Sequence, residues 1–128
     1  MRHYSRGFTL IELLVVVALI GILSAIGIVS YTKYKTSAEK KQAEISLNSI
    51  YLAQQEYKSN NGEYCTSDCS TQNKIISELF DGIDDLSDQN YNFKINNRTD
   101  GFEGEAKHKT SNCTIKLNEK NKLTKSNC

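Results

Sequence analysis

The sequence has 128 residues, a length that favours one domain. Its 16 basic and 15 acidic residues give a formal net charge of +1, and a chain so close to neutral has no general attraction to nucleic acid or to an anionic membrane surface. The apolar residues are unevenly distributed. Residues 8–29 contain one charged side chain, Glu12, whereas the chain from Tyr31 onward is rich in lysine, asparagine and acidic residues. We therefore expect an apolar N-terminal segment joined to a polar globular part.

A short basic segment precedes the apolar one and ends at Gly7. The 22 residues that follow, 8–29, would extend about 33 Å as a helix, which is enough to cross a bilayer. Arg2 and Arg6 before such a span favour a cytoplasmic N-terminus and export of the rest. An ordinary secretory signal would have a shorter apolar core and a small-residue cleavage site after it. A plain single-span anchor is one interpretation of this segment.

Glu12 is the feature that a plain anchor does not explain. A carboxylate at bilayer depth costs about 2.5–3.5 kcal/mol on insertion scales, so an ionisable residue there is a functional hypothesis that needs a partner.

The junction of the two segments resembles the class III signal of type IV prepilins and of type II secretion pseudopilins. The resemblance rests on residues 6–12, which read Arg-Gly-Phe-Thr-Leu-Ile-Glu, is strong over residues 6–34 and is diffuse after that. It implies that prepilin peptidase cleaves after Gly7 and methylates the new amine of Phe8. It also implies that Glu12 attracts the N-terminal ammonium of a neighbouring subunit during assembly. We expect this pairing to select the axial register between subunits, since two opposite charges in a medium of low dielectric cost less together than apart.

The resemblance implies further partners and locations. These are identical or homologous pilin subunits in a helical filament and an inner-membrane assembly platform. Before assembly the chain would be a single-pass inner-membrane protein with a periplasmic C-terminus, and after it part of an extracellular pilus or a periplasmic pseudopilus. The chain departs from many family members by having Val29 where they have proline, and it contains no proline at all. We expect less kinking there, with Gly21 and Gly27 as the remaining soft points.

The expected domains are a leader (1–7), a transmembrane and assembly helix (8–30) and a globular headgroup (31–128). The helix should continue from Tyr31 to about Asn60, because apolar side chains recur at helical spacing there and Asn60-Asn61-Gly62 is a stop signal. We expect four tyrosines to pack against the headgroup: Tyr31, Tyr34, Tyr51 and Tyr57.

The rest of the chain predicts a small sheet. Residues 74–80 favour a turn or two of helix, and alternating apolar side chains predict strands around Tyr91–Ile95, Phe102–His108 and Cys113–Leu117, with another at 122–128. Turns are expected at 96–101 and 118–121. The fold class is therefore α+β, with a long N-terminal helix packed on three or four antiparallel strands.

Four cysteines, Cys65, Cys69, Cys113 and Cys128, follow the apolar segment, and an even number in a small exported domain indicates two disulfides. Three connectivities are open. We favour Cys65–Cys69 with Cys113–Cys128, since neighbours in sequence close cheaply, and closing the second loop should add about 3 kcal/mol. A C-terminal disulfide is also what the family resemblance implies. A four-cysteine zinc site is the alternative, although the spacing fits no zinc ribbon.

No catalytic motif is present, so we expect neither an enzyme nor a cofactor. His3 would leave with the leader, and His108, which lies between lysines, is expected to be solvated. An acidic group at Asp81, Asp84, Asp85 and Asp88 raises the alternative of a calcium loop like those of pseudopilins.

The C-terminal part of the chain is electrically polarised. Eight acids and two bases lie in residues 78–105. From residue 107 to the end there is one acid, Glu119, against six lysines: Lys107, Lys109, Lys116, Lys120, Lys122 and Lys125. DNA-uptake pilins of the family carry such a basic surface, and these lysines could bind phosphates. The alternatives are protection of a sheet edge and docking on a neighbour's acidic face.

The sequence thus predicts a structural filament subunit, a major or minor type IV pilin that supports adhesion, twitching motility or DNA uptake. A type II secretion pseudopilin, a DNA-capturing minor pilin and a plain anchored periplasmic protein are the rivals.

Overall fold

The computed structural model describes residues 6–128, so the first five residues of the expected leader, with His3, lie outside the described residues. The described chain forms two compact units, one that ends at residue 37 and one that spans residues 38–128. Its elements, in chain order, are α1 (Leu10–Asn61), a short 3-10 helix (Ser67–Cys69), α2 (Gln72–Leu79), β1 (Tyr91–Arg98), β2 (Gly101–His108), β3 (Thr114–Asn118) and β4 (Leu123–Ser126).

The first half of α1 belongs to the N-terminal unit and is apolar on all sides. Its mean hydropathy over an 18-residue window reaches 2.8, and by length and composition it could cross a membrane. Gly21 and Gly27 both lie within the unbroken helix. The helical prediction for residues 8–29 is confirmed from Leu10 onward. Tyr31 and Tyr34 are 68% and 74% exposed, so the expectation that they pack against the headgroup is wrong.

The second half of α1 supplies the helical side of the headgroup core. Ala43, Leu47, Ile50 and Gln54 are buried at intervals of three and four residues, which places them on one face of the helix. Tyr51 and Tyr57 are half-buried against the same core, as predicted. The helix ends where Gly62 takes a φ of 81°, a conformation that a side chain would oppose, and the Gly62 amide donates to the Lys58 carbonyl at 2.7 Å.

The four strands form an antiparallel meander in the order β1-β2-β3-β4. Apolar and polar residues alternate along these strands because successive side chains point to opposite faces of the sheet. The register pairs Phe93 with Ala106 and Ala106 with Ile115, which places these three side chains on the same face. These side chains are buried together with α1 in one core. Gly104 lies opposite Leu117, and a Cβ there would stand 3.3 Å from Leu47 Cδ2. Glycine thus allows β2 to approach the helix closely.

The first hairpin is tighter than the sequence predicts. The expected turn covers residues 96–101, but β1 continues to Arg98 and β2 begins at Gly101, so Thr99 and Asp100 alone make the turn. Asp100 has a φ of 60°, a left-handed conformation that aspartate tolerates in hairpin turns.

Two disulfides, Cys65–Cys69 and Cys113–Cys128, are present, and this is the favoured connectivity. In the first disulfide, the main chain of Cys65 is hydrogen-bonded to Gln54 of α1, which is fully buried. Its Nε2 donates to the Cys65 carbonyl at 2.6 Å and its Oε1 accepts from the Cys65 amide at 2.8 Å.

The predicted helical turns around 74–80 are α2, which begins two residues earlier behind its N-cap, Thr71. Gln72 Oε1 of α2 accepts from the outward amide of Phe93 on the edge strand at 3.0 Å.

Candidate processing and assembly site

The expected cleavage point lies in non-helical backbone immediately before α1. Gly7 and Phe8 are both exposed, the Phe8 side chain by 89%, and α1 begins only at Leu10. A Cβ built on Gly7 would meet nothing within 4 Å. The peptide bond between Gly7 and Phe8 is therefore exposed and outside the helix, which leaves it accessible to a peptidase.

Glu12 lies in the first turn of α1 and is hydrogen-bonded to the residue that precedes the helix. The Thr9 amide donates to Glu12 Oε2 at 3.0 Å, and the Glu12 amide donates to Thr9 Oγ1 at 3.2 Å. This reciprocal pair is a capping box, which satisfies two of the helix N–H groups that have no partner within the helix. The side chain that the sequence singles out is thus oriented by its own helix.

The surface around Glu12 is apolar and unpacked. Every large apolar side chain from Leu10 to Val29 is at least 47% exposed. Soluble monomers rarely expose a continuous apolar patch larger than a few hundred Å², so a surface of this kind marks contact with a membrane or with other proteins.

Known proteins resemble part of the chain. The family model described as "Prokaryotic N-terminal methylation motif" matches residues 2–28. The major type IV pilin protein PilA of Myxococcus xanthus is 43% identical over 60 residues, which cover 47% of this chain and 27% of that protein. A fimbrial protein of Neisseria meningitidis serogroup B is 34% identical over 79 residues, covering 62% of this chain and 46% of that protein.

These matches make the chain similar to type IV pilins. A major pilin protein PilE1 of Neisseria gonorrhoeae is also similar, with 36% identity over 64 residues that cover 50% of this chain and 39% of that protein. The chain therefore spans less than half the length of these curated relatives. No solved structure matches it significantly.

The six C-terminal lysines do not form one free basic surface. Lys116 Nζ lies 3.4 Å from Glu103 Oε1 and 3.8 Å from Glu105 Oε2, on the sheet face opposite the helix. Lys125 forms an ion pair with Glu44 of α1. Within residues 6–128 the other four make no ion pair and are exposed: Lys107, Lys109, Lys120 and Lys122.

The carboxylates that hold these lysines are stabilised in their charged form. Burial raises the pKa of Glu103, but hydrogen bonds from Arg98 and Asn96 and the charge of Lys116 outweigh it, so the net pKa is lowered. Burial likewise raises the pKa of Glu44, and its bonds to Lys125 and Lys41 outweigh that effect, again with a lowered pKa. In both cases the contacts favour the ionised form of the carboxylate over that of a free glutamate.

The C-terminal segment contacts α1 through two lysine side chains. Besides the Lys125–Glu44 pair, Lys40 Nζ of α1 donates to the main-chain oxygen of Cys128 at 2.7 Å. The second disulfide ties the same residue to Cys113. No pattern in the sequence indicates that lysines of this segment pair with α1, because 81 residues separate Glu44 from Lys125.

His108 is not the solvated side chain that the sequence suggests. Its side chain is 16% exposed, and its Nε2 lies 3.6 Å from Glu39 Oε2. Its Nδ1 accepts from the Thr110 and Ser111 amides at 3.1 and 3.0 Å. The expectation of a solvated histidine is wrong because the loop after β2 folds back over the ring.

The acidic loop is organised by hydrogen bonds from its own main chain. Asp84 Oδ1 accepts from the Leu86 and Ser87 amides at 3.1 and 2.9 Å. Bonds from the side chain and amide of Ser87 lower the Asp84 pKa. In the described part of the chain no group of three or more histidine, cysteine or acidic side chains is arranged to hold a metal ion.

Proposed function

We propose that the chain is a structural subunit of a type IV pilus, processed at its N-terminus and polymerised through the apolar half of α1. The observation that carries the proposal is an exposed apolar helix that begins with the methylation motif and contains one carboxylate, Glu12. In this proposal prepilin peptidase cleaves after Gly7 and methylates Phe8. The Glu12 carboxylate then attracts the Phe8 ammonium of the next subunit, while the apolar side chains around it are buried between copies.

The same proposal gives the chain a location and partners. The apolar N-terminal helix and the similarity to type IV pilins fit a membrane-anchored precursor that later enters a pilus. We assign the precursor to the inner membrane, with residues 38–128 in the periplasm, where an oxidising environment would allow both disulfides to form. An assembly platform in that membrane would extract it. The chain would carry out no catalysis and need no cofactor.

Replacing Glu12 tests the assembly step. Glu12→Ala should insert and be cleaved as the parent chain is, because an apolar residue lowers the cost of the span. It should form at least about tenfold fewer surface filaments, counted by electron microscopy, because a coupling of about 1.4 kcal/mol or more between buried charges is tenfold in an equilibrium. Ser24→Ala, in the same helix, is the matched control and should leave filaments unchanged. Normal filaments from Glu12→Ala would overturn the proposal.

Two alternatives use the same N-terminal helix. A type II secretion pseudopilin would assemble short filaments that remain in the periplasm, so it predicts processed chain in the membrane fraction and none in the sheared surface fraction. A plain anchored protein predicts that the leader stays attached. The similarity to proteins named as pilins and fimbrial proteins favours the pilus.

The DNA-binding hypothesis stays a prediction, and the ion pairs sharpen its test. Two of the six candidate lysines, Lys116 and Lys125, are paired with glutamates. The candidates for DNA binding are therefore the four others: Lys107, Lys109, Lys120 and Lys122. Changing the four to glutamine should lower DNA affinity and flatten its dependence on salt, by up to about 0.9 log unit for each DNA phosphate that is no longer neutralised. The control changes Lys116 alone. An unchanged salt slope in the fourfold variant would remove DNA from the set of partners.

A further inference from the structure

One ring nitrogen of His108 is the acceptor for the loop of residues 109–113, which joins β2 to β3. The Thr110 and Ser111 amides donate to Nδ1 at 3.1 and 3.0 Å, and the Thr110 hydroxyl lies 3.3 Å from the same atom. A neutral imidazole has one acceptor nitrogen and one N–H group, whereas an imidazolium has two N–H groups and no acceptor. The closed loop therefore requires a neutral ring whose proton is on Nε2.

The other ring nitrogen faces a carboxylate of α1. Nε2 lies 3.6 Å from Glu39 Oε2, and both side chains are partly buried. Asn90 Nδ2 donates to Glu39 Oε1 at 2.7 Å, so the carboxylate oxygen beside the ring is the one that Asn90 does not use. Charges that are partly buried are screened less by salt than exposed ones. An imidazolium would thus keep a counter-charge at Nε2 although it would lose its acceptor function at Nδ1.

The titratable groups on α1, on β1 and on the ring's own strand and loop are Glu39, Lys40, Glu44, Tyr91, Lys107 and Lys109. The Tyr91 ring meets the imidazole edge-on at 4.9 Å between centroids, and its pKa is raised by burial and by the charges of Glu39 and Glu44. The pKa of Glu44 is lowered by its lysine partners. Histidine is the side chain whose ordinary range of titration lies between pH 8 and pH 5. His108 is therefore the group of this set through which a change of pH would act.

We propose that His108 is a pH-dependent switch of the headgroup: the neutral ring closes the 109–113 loop through Nδ1, and a proton taken up at Nδ1 opens it. The Glu39 contact is compatible with both states, whereas the two amide bonds exist only in the closed one. The closed loop binds fewer protons than the open loop, so it is favoured as the pH rises and is lost as the pH falls. The disulfide of Cys113 limits how far the open loop can move.

A pH titration of the full chain in detergent tests the switch and does not depend on filament formation. The nitrogen NMR spectrum of the imidazole reports which ring nitrogen has the proton. Solvent exchange at the Thr110 and Ser111 amides, corrected for the exchange of unprotected amides at each pH, reports whether the loop is closed. His108→Asn is the matched variant, because its side-chain oxygen can accept the same amide bonds and does not titrate. His108→Leu removes the acceptor, and Glu39→Gln removes the counter-charge.

The expected pattern follows from the two bonds to Nδ1. At pH 8 the proton should be on Nε2, and both amides should exchange about fivefold more slowly than in His108→Leu, the factor that corresponds to a hydrogen bond of about 1 kcal/mol. At pH 5 this protection should be lost in the parent chain and retained in His108→Asn. Glu39→Gln should move the midpoint of opening to lower pH by about half a unit, as expected for a partly exposed pair.

Three results would overturn the proposal. The first is a proton on Nδ1 at pH 8, since that tautomer cannot accept the two amides. The second is amide protection in the parent chain that stays constant from pH 8 to pH 5. The third is protection in His108→Asn that falls in acid as it does in the parent chain, because another group would then open the loop. The parent titration is decisive by itself if a variant does not fold, and an unchanged midpoint in Glu39→Gln would remove Glu39 from the switch.

Discussion

The two halves of α1 contain apolar side chains of the same kind in opposite surroundings. From Leu10 to Val29 every large one is at least 47% exposed, whereas Leu47 and Ile50 are 1% and 0% exposed. Apolar area removed from water stabilises by about 25 cal/mol per Å². The second half gains this stabilisation within the chain, and the first half can gain it only from a membrane or from other molecules. Changes in residues 10–29 should therefore alter assembly, and changes in residues 38–128 should alter the free energy of unfolding.

The largest expected effect comes from a charge in the middle of the apolar half. Leu19→Asp should abolish filaments, because a carboxylate at bilayer depth costs about 2.5–3.5 kcal/mol and, unlike Glu12, would not accept a hydrogen bond from the Thr9 amide. The same variant, solubilised in detergent, should unfold at the temperature of the parent chain, since Leu19 lies outside the headgroup core. Near-ultraviolet circular dichroism measures the transition. Leu19→Ile is the control, and a large shift in its unfolding temperature or in that of Leu19→Asp would show that the two halves are not independent.

The second disulfide should stabilise the headgroup more than the first. Replacing both Cys113 and Cys128 with alanine should lower the free energy of unfolding by about 3 kcal/mol, because a loop of about 16 residues is no longer closed in the unfolded chain. Urea unfolding of the chain in detergent measures this free energy. The matched pair, Cys65→Ala with Cys69→Ala, opens a loop of only about five residues and should cost about 2 kcal/mol by the same relation. An equal or larger loss in the matched pair would contradict this ranking.

Replacing Gln54 should lower the free energy of unfolding more than replacing a glutamine on the exposed side of α1. Gln54→Leu preserves the volume but leaves the buried amide and carbonyl of Cys65 without partners, at about 1–3 kcal/mol for each group that water cannot reach. We expect a total loss of about 2 kcal/mol, with filaments still formed. Gln42→Leu, on the exposed side of the same helix, is the control and should change the stability by less than about 0.5 kcal/mol.

The smallest effect is expected from the Lys125–Glu44 pair. Lys125→Gln should lower the stability by about 0.5–1 kcal/mol, since the lysine is partly exposed. The fold holds the Glu44 pKa below its ordinary value of 4.5, so this stabilisation is present above pH 4.5 and is lost as the pH falls through the lower folded pKa. The parent and the variant should therefore converge in stability in acid. A difference that stays constant down to about pH 2 would exclude the ion pair as its cause.

The elements with a clear periodicity are predictable from the sequence. Burial every three or four residues in α1 and every two in β1 to β3 follows from the position of each side chain relative to one core, and the sequence displays that spacing directly. The N-terminal motif is equally predictable because its residues are close in sequence. Gly7, Phe8, which would carry the free amine after cleavage, and Glu12 lie within six residues.

Contacts between distant residues are not predictable in this way. Nothing near Lys116 or Lys125 in sequence indicates that each meets a carboxylate, since those pairs depend on the strand register and on the return of the chain to α1. The prediction for His108 is wrong for the same reason, because its neighbours in sequence are lysines while its partner, Glu39, is on α1.

The capping box is a different case, because both of its residues are close in sequence. Thr9 and Glu12 lie three residues apart, which is the spacing that the motif requires. The charge of Glu12, considered alone, suggests a partner in another molecule. The hydrogen bonds that Glu12 makes with Thr9 at the start of its own helix were therefore missed.

The central claim is that residues 8–29 are buried between copies of this chain on the cell surface. The most direct test is the intact mass of protein sheared from cells that express it. We expect a dominant species that begins at Phe8, about 14 Da heavier for one methyl group and about 4 Da lighter for two disulfides. A sheared fraction that lacks the chain, or a chain that retains residues 1–7 in every fraction, would contradict the claim.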